Sequence, residues 1–213
     1  MTSDQSEAAR IRQAAAGDPQ AWAALLDEHR ARLRRMVALR LDRRLQGRID
    51  PSDVIQEAYL EASAGLTQYV ERAEMPFFLW LRWLTAMKLN ALHRKHLDCQ
   101  VRDAAREVSI ERGAWPQASS AALAAQLLGR QTSASAVALR LERKARLEEG
   151  LDALDPLDRE VLILRHFEEL TNAEAALTLQ IRESAASKRY IRALRRLKDI
   201  LAAMPGGTQE FRP

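Results

Sequence analysis

The stretch between Thr171 and Leu201 constrains this chain most, because it specifies two short helices separated by a tight turn. Thr171 is followed three residues later by Glu174, a spacing typical of the capping box with which a helix begins. After a predicted break at residues 180–182, apolar residues recur at three- and four-residue spacing, which predicts an amphipathic second helix. Its apolar residues are Ala186, Tyr190, Ala193, Leu194, Leu197 and Leu201.

The opposite face of the second helix is polar and strongly basic. It carries Ser184, Ser187, Lys188, Arg189, Arg192, Arg195, Arg196 and Lys198. Two short helices, the second with a free basic face, are typical of a helix-turn-helix motif whose second helix enters the major groove of DNA. We expect Gln180 in the turn, where Gly is usual because it tolerates positive φ, at a cost of about 1 kcal/mol. A solvated basic face on an ordinary surface helix is the alternative interpretation.

Length and charge favour a two-domain protein that binds nucleic acid. The chain has 213 residues, 47% of them hydrophobic and 5% aromatic, which is enough for two small cores. Its net charge of +4 is modest, but the cations cluster, and clustered Lys and Arg neutralise phosphates. We therefore predict an all-α fold of two small helical domains joined by a linker, with the helix-turn-helix in the C-terminal domain.

Cysteine usage and hydropathy indicate a cytoplasmic protein. Cys99 is the only cysteine, so no intramolecular disulfide can form and a reducing compartment is expected. The N-terminus lacks the basic start and apolar run of a secretion signal. The most apolar segment, Met75 to Leu92, contains Arg82 and Lys88, whereas a bilayer span needs about 20 apolar residues. We expect no membrane insertion.

Two Asp-Pro pairs, Asp18-Pro19 and Asp50-Pro51, predict helix starts in the N-terminal half, because Asp caps a helix and Pro suits its first turn. We expect the first of these helices to end at Gly47. Its apolar stripe is Trp22, Leu25, Leu26, His29, Leu33, Met36, Val37 and Leu41. Within that stripe, a satisfied core residue is a better interpretation of His29 than a ligand.

The next predicted helix, Asp53 to Leu66, combines apolar positions with an acidic ridge. The apolar positions are Val54, Ala58, Leu60 and Ala62, and the ridge is Asp53, Gln56, Glu57 and Glu61. DNA would repel such a ridge, whereas a protein with a basic surface would be attracted and oriented by it. An ordinary solvated face is the alternative. We expect a loop from Gly65 to Pro76, with Tyr69 as its only aromatic residue.

The helix that follows is dense in aromatic residues. Phe77, Trp80, Leu81, Leu84, Ala91 and Leu92 fall on one side, which should be the core side. Trp83, Asn90 and Arg94 lie along a flank of that side. A tryptophan beside Asn and Arg suits a base-stacking platform, worth about 1 to 3 kcal/mol per stacked base. A Trp half buried at the margin of the core is the alternative.

Three potential metal ligands, His93, His96 and Cys99, follow at three-residue spacing. Arg94 and Lys95 between them would repel a cation, and no fourth ligand is evident, so we expect neither a metal nor another cofactor. A basic helix end that contacts phosphates explains the same residues. The sequence contains no nucleophile-base pair and no phosphate-binding loop, so we expect a non-catalytic protein without a small-molecule substrate.

Helical periodicity fades between Leu97 and Thr132, where Gly, Pro and Ser residues predict a linker with one transient or docked helix around the apolar piece at 121–128. A further helix should end at Asp155-Pro156, and an amphipathic helix should follow at 157–167. The tail at 205–213 is too short and too rich in Gly and Pro to build structure of its own.

The order of these segments resembles the extracytoplasmic-function (ECF) group of bacterial RNA polymerase sigma factors. The resemblance rests on DPSDVIQEAYLEA, FFLWLRWL, LDPLDREVLILRHFEELTNAEAAL and SAASKRYIRALRRL, taken in that order, and it covers nearly the whole chain. It implies a region 2 domain at 1–97, a linker at 98–132, a region 4 domain at 133–204 and a disordered tail at 205–213.

The resemblance also implies roles for residues of the N-terminal domain. Asp53, Gln56 and Glu57 match an Asp-x-x-Gln-Glu pattern that docks on the clamp helices of the polymerase β′ subunit. The segment from Gly65 to Pro76 corresponds to the part that captures a flipped-out base of the promoter minus-10 element. The implied minus-10 and melting residues are Tyr69, Trp80, Trp83, Asn90 and Arg94.

In the C-terminal domain the resemblance implies a recognition helix at 184–196 that reads the minus-35 element. Its implied DNA contacts are Ser184, Ser187, Lys188, Arg189, Arg192 and Arg196. The implied partners are core RNA polymerase, through the β′ clamp helices and the β flap, promoter DNA and an anti-sigma factor. A two-domain helix-turn-helix regulator that acts without being a polymerase subunit is the alternative, and an enzyme is a distant third.

Overall fold

The computed structural model describes residues 2–72, 74–97, 116–128 and 137–203. The helices in these ranges are α1 (Thr2–Ala15), α2 (Pro19–Arg40), α3 (Pro51–Arg72), α4 (Phe77–Leu97), α5 (Ser120–Leu128), α6 (Val137–Asp152), α7 (Pro156–Leu162), α8 (Asn172–Leu179) and α9 (Glu183–Ala202). The described ranges contain no β-strand and belong to two compact units, divided in the sequence between Gln117 and Ala118. The predicted all-α, two-domain class is thus confirmed. The exact bounds of the domains and linker stay a prediction.

The N-terminal unit is built from α1 to α4 around a continuous apolar core. Asp18 opens α2 as predicted, since its Oδ1 accepts the backbone N–H of Gln20 at 2.8 Å and of Ala21 at 3.2 Å. Residues with no solvent exposure in this core are Leu25, Leu33, Val37, Ala58, Ala62, Leu81 and Leu89. His29 is buried, and its Nε2 lies 2.9 Å from Oε1 of Glu7. It is the satisfied core residue that the sequence predicted.

The predicted end of α2 at Gly47 is wrong, because α2 ends at Arg40. The carboxylate of Asp42 accepts the backbone N–H of Arg44 at 2.8 Å and its Nε at 3.0 Å. Such local bonding competes with the helical pattern, so the chain leaves the helix at this point. Gly47 lies in the segment that follows, with a φ of 85°.

The predicted loop from Gly65 to Pro76 is also wrong, because α3 continues to Arg72. Leu66 is buried and extends the row of core residues on α3 at helical spacing. A Cβ at residue 65 would lie 3.4 Å from Cζ2 of Trp80, an ordinary van der Waals distance, so α3 and α4 pack against each other at this position. Packing between the two helices outweighs the weak helix propensity of glycine.

The C-terminal unit contains α5 to α9. The helix predicted inside the linker is present as α5 and packs against α6. The helix predicted to end at Asp155-Pro156 ends at Asp152 instead. Asp155 caps the next helix, α7, because its Oδ1 accepts the backbone N–H of Leu157 at 3.0 Å and of Asp158 at 3.1 Å.

The segment predicted as one helix at 157–167 begins as an α-helix and ends as a π-helix. After α7, residues Ile163–Phe167 form a π-helical turn, which the backbone N–H of Glu168 closes on the carbonyl of Ile163 at 3.0 Å. Ile163, Leu164 and Phe167 are all buried. The wider turn therefore lies against the core of this unit.

The helix-turn-helix is confirmed in α8 and α9. The hydroxyl of Thr171 accepts the backbone N–H of Glu174 at 3.1 Å, and Oε2 of Glu174 accepts the N–H of Thr171 at 2.7 Å. This is the predicted capping box. Gln180 ends α8 in the left-handed conformation, with φ 53° and ψ 41°. Ala186 of α9 has no solvent exposure, as expected for a residue that faces the core.

Several predictions fall outside the described ranges. They concern Cys99, the linker at 98–115 and 129–132, and the tail at 205–213. Among the helices that are described, none is both long and apolar enough to cross a lipid bilayer.

Candidate nucleic-acid interface

The acidic ridge of α3 lies next to an exposed leucine. Asp53, Gln56 and Glu57 are all exposed, so the three residues predicted to bind polymerase share the solvent side of α3. Leu60 was expected among the apolar core positions, but it is 74% exposed and lies one turn from Gln56 and Glu57. Glu61 pairs instead with Lys88 of α4. The exposed side of α3 therefore combines the acidic ridge with an apolar side chain at its C-terminal end.

Tyr69 and Trp80, two of the predicted melting residues, contact each other. Their rings stack with centroids 4.5 Å apart at 20°, and Phe77 meets the Tyr69 ring edge-on at 5.6 Å. The Tyr69 hydroxyl donates to the carbonyl of Met75 at 2.9 Å. Burial raises the pKa of Tyr69 to about 12. These contacts occupy one face of each ring, so Tyr69 and Trp80 form one aromatic wall.

A separate apolar strip lies on the solvent side of α4. Trp83 is 41% exposed and Met87 is 43% exposed. Asn90 is half-buried and Arg94 is exposed, and all four residues follow at spacings that place them along one side of the helix. Sequence reasoning recognised Trp83, Asn90 and Arg94 but missed Met87. Its position four residues after Trp83 was the available signal.

His93, one of the three potential metal ligands, instead stabilises the fold through a hydrogen bond. Nε2 of His93 accepts the backbone N–H of Asp42 at 3.2 Å, and burial lowers the pKa of His93. His96 is exposed, and Cys99 lies outside the described ranges. Among the residues that the structure describes, no group of three or more His, Cys, Asp or Glu side chains could hold a metal ion.

The basic face predicted for the second helix of the motif is present on α9. Its exposed members are Ser184, Ser187, Lys188, Arg192, Arg195, Arg196 and Lys198. Arg189 is only 28% exposed and lies at the margin of this face. Five of the six predicted DNA contacts thus share one solvent-exposed surface, which we call the α9 basic face.

A buried carboxylate organises the middle of the α9 basic face. Asp158 of α7 has 4% side-chain exposure. Its Oδ1 accepts a hydrogen bond from Nη1 of Arg189 at 2.6 Å, and its Oδ2 forms an ion pair with Arg192, with Nε at 2.8 Å. Nη1 of Arg189 also lies 3.3 Å from Oδ1 of Asp155, the cap of α7. One carboxylate therefore binds two neighbouring arginines of the predicted recognition helix.

Comparison with known families decides the nature of this unit. Residues 150–199 match the family model for sigma-70, region 4. This segment of the chain is therefore similar to sigma-70 region 4. The match includes α7, α8 and most of α9, and it confirms the resemblance to sigma factors that the sequence predicted.

The region 4 domain contains Asp158 as well as the predicted minus-35 contacts. Sequence reasoning missed Asp158, because an acidic residue in the first turn of a helix is ordinarily explained by the helix dipole. The only available signal was that Asp158 is an acidic residue within a segment of mainly apolar residues. Its contacts with α9 depend on how the region 4 helices pack.

Solved structures extend the likeness beyond region 4. A chain in the structure of CnrH in complex with the cytosolic domain of CnrY is 23% identical with a TM-score of 0.54, and the alignment covers 92% of this chain and 97% of that chain. This likeness shows a shared fold over most of both chains.

Two further structures match with lower TM-scores. A chain in the complex of the sigma factor RpoE with the anti-sigma factor NepR from Bartonella quintana has 17% identity and a TM-score of 0.46, covering 85% of this chain and 96% of that chain. A chain in the RsbN–BldN complex has 19% identity and a TM-score of 0.32, covering 90% and 99%. A comparison with curated proteins finds no significant match.

Proposed function

We propose that this protein is an RNA polymerase sigma factor of the ECF type, which directs the core enzyme to specific promoters and assists strand opening. The observation that carries the proposal is the coincidence of the region 4 match with the exposed α9 basic face. A helix-turn-helix that presents cations on its second helix binds duplex DNA through phosphates and reads bases in the major groove. The protein makes and breaks no covalent bond in this role.

The α9 basic face is the proposed minus-35 reader. Ser184, Lys188 and Arg192 follow at four-residue spacing and are exposed, so they can enter the groove from one side of α9. Ser187 and Arg196 flank this row. Arg189 contacts Asp158 and Asp155, and a direct DNA contact by Arg189 competes with these ion pairs. The cationic contacts should make promoter affinity fall steeply as salt rises.

The acidic ridge of α3 is the proposed docking surface for core polymerase. Asp53, Gln56 and Glu57 offer carboxylate and amide acceptors to a basic helical surface, such as the β′ clamp helices. Leu60 lies one turn beyond Gln56 and Glu57 and adds an exposed apolar contact at the C-terminal end of this acceptor set. Apolar side chains that become buried at an interface can supply much of its binding energy. We further propose that region 4 contacts the β flap.

Strand opening is assigned to the solvent side of α4 and the neighbouring aromatic wall. Extruding a base from the duplex costs a few kcal/mol, which stacking on a protein aromatic must offset. Trp83 and Met87 offer exposed apolar surface, and Arg94 offers a nearby cation for the backbone. Tyr69 and Trp80 stack on each other, so they would contact a base by the outer side of the wall.

An anti-sigma factor is the proposed regulator. A chain with the same fold was solved in complex with a protein partner, the cytosolic domain of CnrY. A partner that covers the docking surface on α3 or the α9 basic face would block association with polymerase or with the promoter. We therefore expect a protein that inhibits transcription when it is bound to this chain.

Run-off transcription tests the proposal directly. The purified protein is combined with bacterial core polymerase and genomic DNA, and the 5′ ends of the transcripts are sequenced. A sigma factor gives initiation at a defined set of promoters with a common upstream element, whereas core enzyme alone gives none. A chain that binds operators stably without polymerase, and does not co-purify with core enzyme, is instead a helix-turn-helix regulator. That result would refute the proposal.

A further inference from the structure

The carboxylate of Asp158 is placed to control an exposed arginine. Asp158 is almost completely buried on α7, yet its Oδ2 lies 2.8 Å from Nε of Arg192 in an ion pair, and the Arg192 side chain is 63% exposed. Its other oxygen accepts Nη1 of Arg189, which is 28% exposed. The carboxylate thus has one partner at the margin of the domain and one partner that extends into solvent.

We propose that Asp158 is a positioning residue that orients Arg192 to read a guanine in the promoter minus-35 element. This inference rests on the proposed sigma function. A guanidinium held at Nε presents its two terminal amino groups on the opposite edge. That edge matches the O6 and N7 acceptors of guanine, to which arginine binds through two parallel hydrogen bonds in the major groove.

The position of Arg192 on α9 supports this assignment. Arg192 lies four and eight residues after Lys188 and Ser184, so it continues the row of exposed side chains on the proposed groove side. An unrestrained arginine loses much rotamer freedom when it binds. Contact with a buried carboxylate removes part of that freedom before DNA arrives, which favours one bound geometry.

Arg189 has a different role in the same cluster. Its guanidinium contacts Asp158 and also Asp155, the residue that caps α7. These contacts join α9 to the start of α7, so Arg189 fixes the helix on which Arg192 is carried. Ion pairs that involve a largely exposed arginine contribute little to stability, so the contact with Arg192 has orientation as its main consequence.

The test uses holoenzyme, reconstituted from the full chain and core polymerase, on a promoter library randomised in the upstream element. Transcripts are sequenced for the wild type, Asp158→Asn, Arg192→Ala and the double variant. Asp199→Asn is the matched control, because it makes the same change of charge at an exposed position on α9. We expect wild-type holoenzyme to prefer guanine at one position, and Asp158→Asn to reduce that preference roughly tenfold, the discrimination of one good bidentate contact.

The pattern of losses separates positioning from a merely structural role. Arg192→Ala should lose the same base preference as Asp158→Asn, the double variant should be no worse than Arg192→Ala, and Asp199→Asn should keep the wild-type preference. A uniform loss at all positions, or an unchanged guanine preference in folded Asp158→Asn, would overturn the inference while the sigma function stands. If wild-type holoenzyme initiates at no promoter, the proposed function fails and the inference fails with it.

A second measurement needs no variant at Asp158. In side-chain NMR spectra of the full chain, the Nε proton of Arg192 should exchange with water more slowly than that of Arg195, because the buried carboxylate of Asp158 lies 2.8 Å from this nitrogen. Arg195 is exposed on the same helix and serves as the internal reference. Equal exchange at the two arginines would contradict the positioning role, even if Asp158→Asn does not fold.

Discussion

The two units present candidate functional surfaces of opposite charge, and the surfaces are organised differently. The ridge on α3 is acidic and adjoins exposed Leu60, whereas the α9 basic face is cationic and adjoins a buried carboxylate. A protein partner can be bound by complementary charge around an apolar contact. A base edge in the major groove requires donors with fixed direction. If the proposed partners are right, the kind of partner determines whether a charged side chain needs a buried counter-charge to orient it.

The largest effect is expected when the charge of the α3 ridge is reversed, so that it matches the charge of the α9 basic face. The double variant Asp53→Lys/Glu57→Lys places cations opposite a basic partner, and like charges across an interface cost several kcal/mol. We expect nearly complete loss of binding to core polymerase, measured by fluorescence anisotropy, while the unfolding temperature stays the same because both residues are exposed. Glu71→Lys, an exposed site further along α3, is the control and should bind normally. If the double variant binds core polymerase normally, the α3 ridge is not the docking surface for polymerase.

The next effect distinguishes the two tryptophans of α4, the exposed Trp83 and the packed Trp80. Trp83→Ala should weaken strand opening by about 1 to 3 kcal/mol, the value of one stacked base. Permanganate reactivity of unpaired thymines in the holoenzyme–promoter complex measures this step. A promoter with a premelted minus-10 segment should recover much of the loss. Trp80→Ala, within the aromatic wall, should in addition lower the free energy of unfolding, because its ring packs on Tyr69 and Phe77. If the Trp83→Ala variant opens the promoter as well as the wild type does, Trp83 is not a base-stacking platform.

A smaller effect is confined to the C-terminal unit. Gln180 has a left-handed backbone, so Gln180→Gly should relieve strain and stabilise the region 4 domain by about 0.5 to 1 kcal/mol. Amide hydrogen exchange should slow in α8 and α9 and stay unchanged in α2 to α4. Gln180→Ala keeps the Cβ and is the control, for which no such gain is expected. Equal stability of the glycine and alanine variants would show that the turn carries no strain.

The smallest expected effect is confined to the N-terminal unit. Burial lowers the pKa of His93 below its ordinary value of 6.5, and Nε2 accepts the N–H of Asp42, so the folded unit keeps His93 neutral. The unfolded chain gains a proton as the pH falls through about 6.5, so the stabilising contribution is complete above that pH and declines below it. Urea unfolding at several pH values should show a weaker pH dependence for His93→Gln than for the wild type. Identical pH profiles would contradict this prediction.

Much of the candidate site could be predicted because the relevant signals are local. The exposed row from Ser184 to Arg192 follows from the helical period alone, as does the row formed by Asp53, Gln56 and Glu57. The exposure of Leu60 could not be predicted, since residues at the edge of an apolar stripe are buried only if another helix covers them. Met87 was missed for the same reason.

The sequence by itself determined where several helices begin and which faces carry charge. The Asp18 cap and the Thr171–Glu174 capping box depend on atoms a few residues apart, so the local sequence is enough to predict them. Only the tertiary structure decided that α3 continues through Gly65 and that Asp158 binds both Arg189 and Arg192. These outcomes depend on side chains far apart in the chain, and packing of the helices alone determines which of them meet.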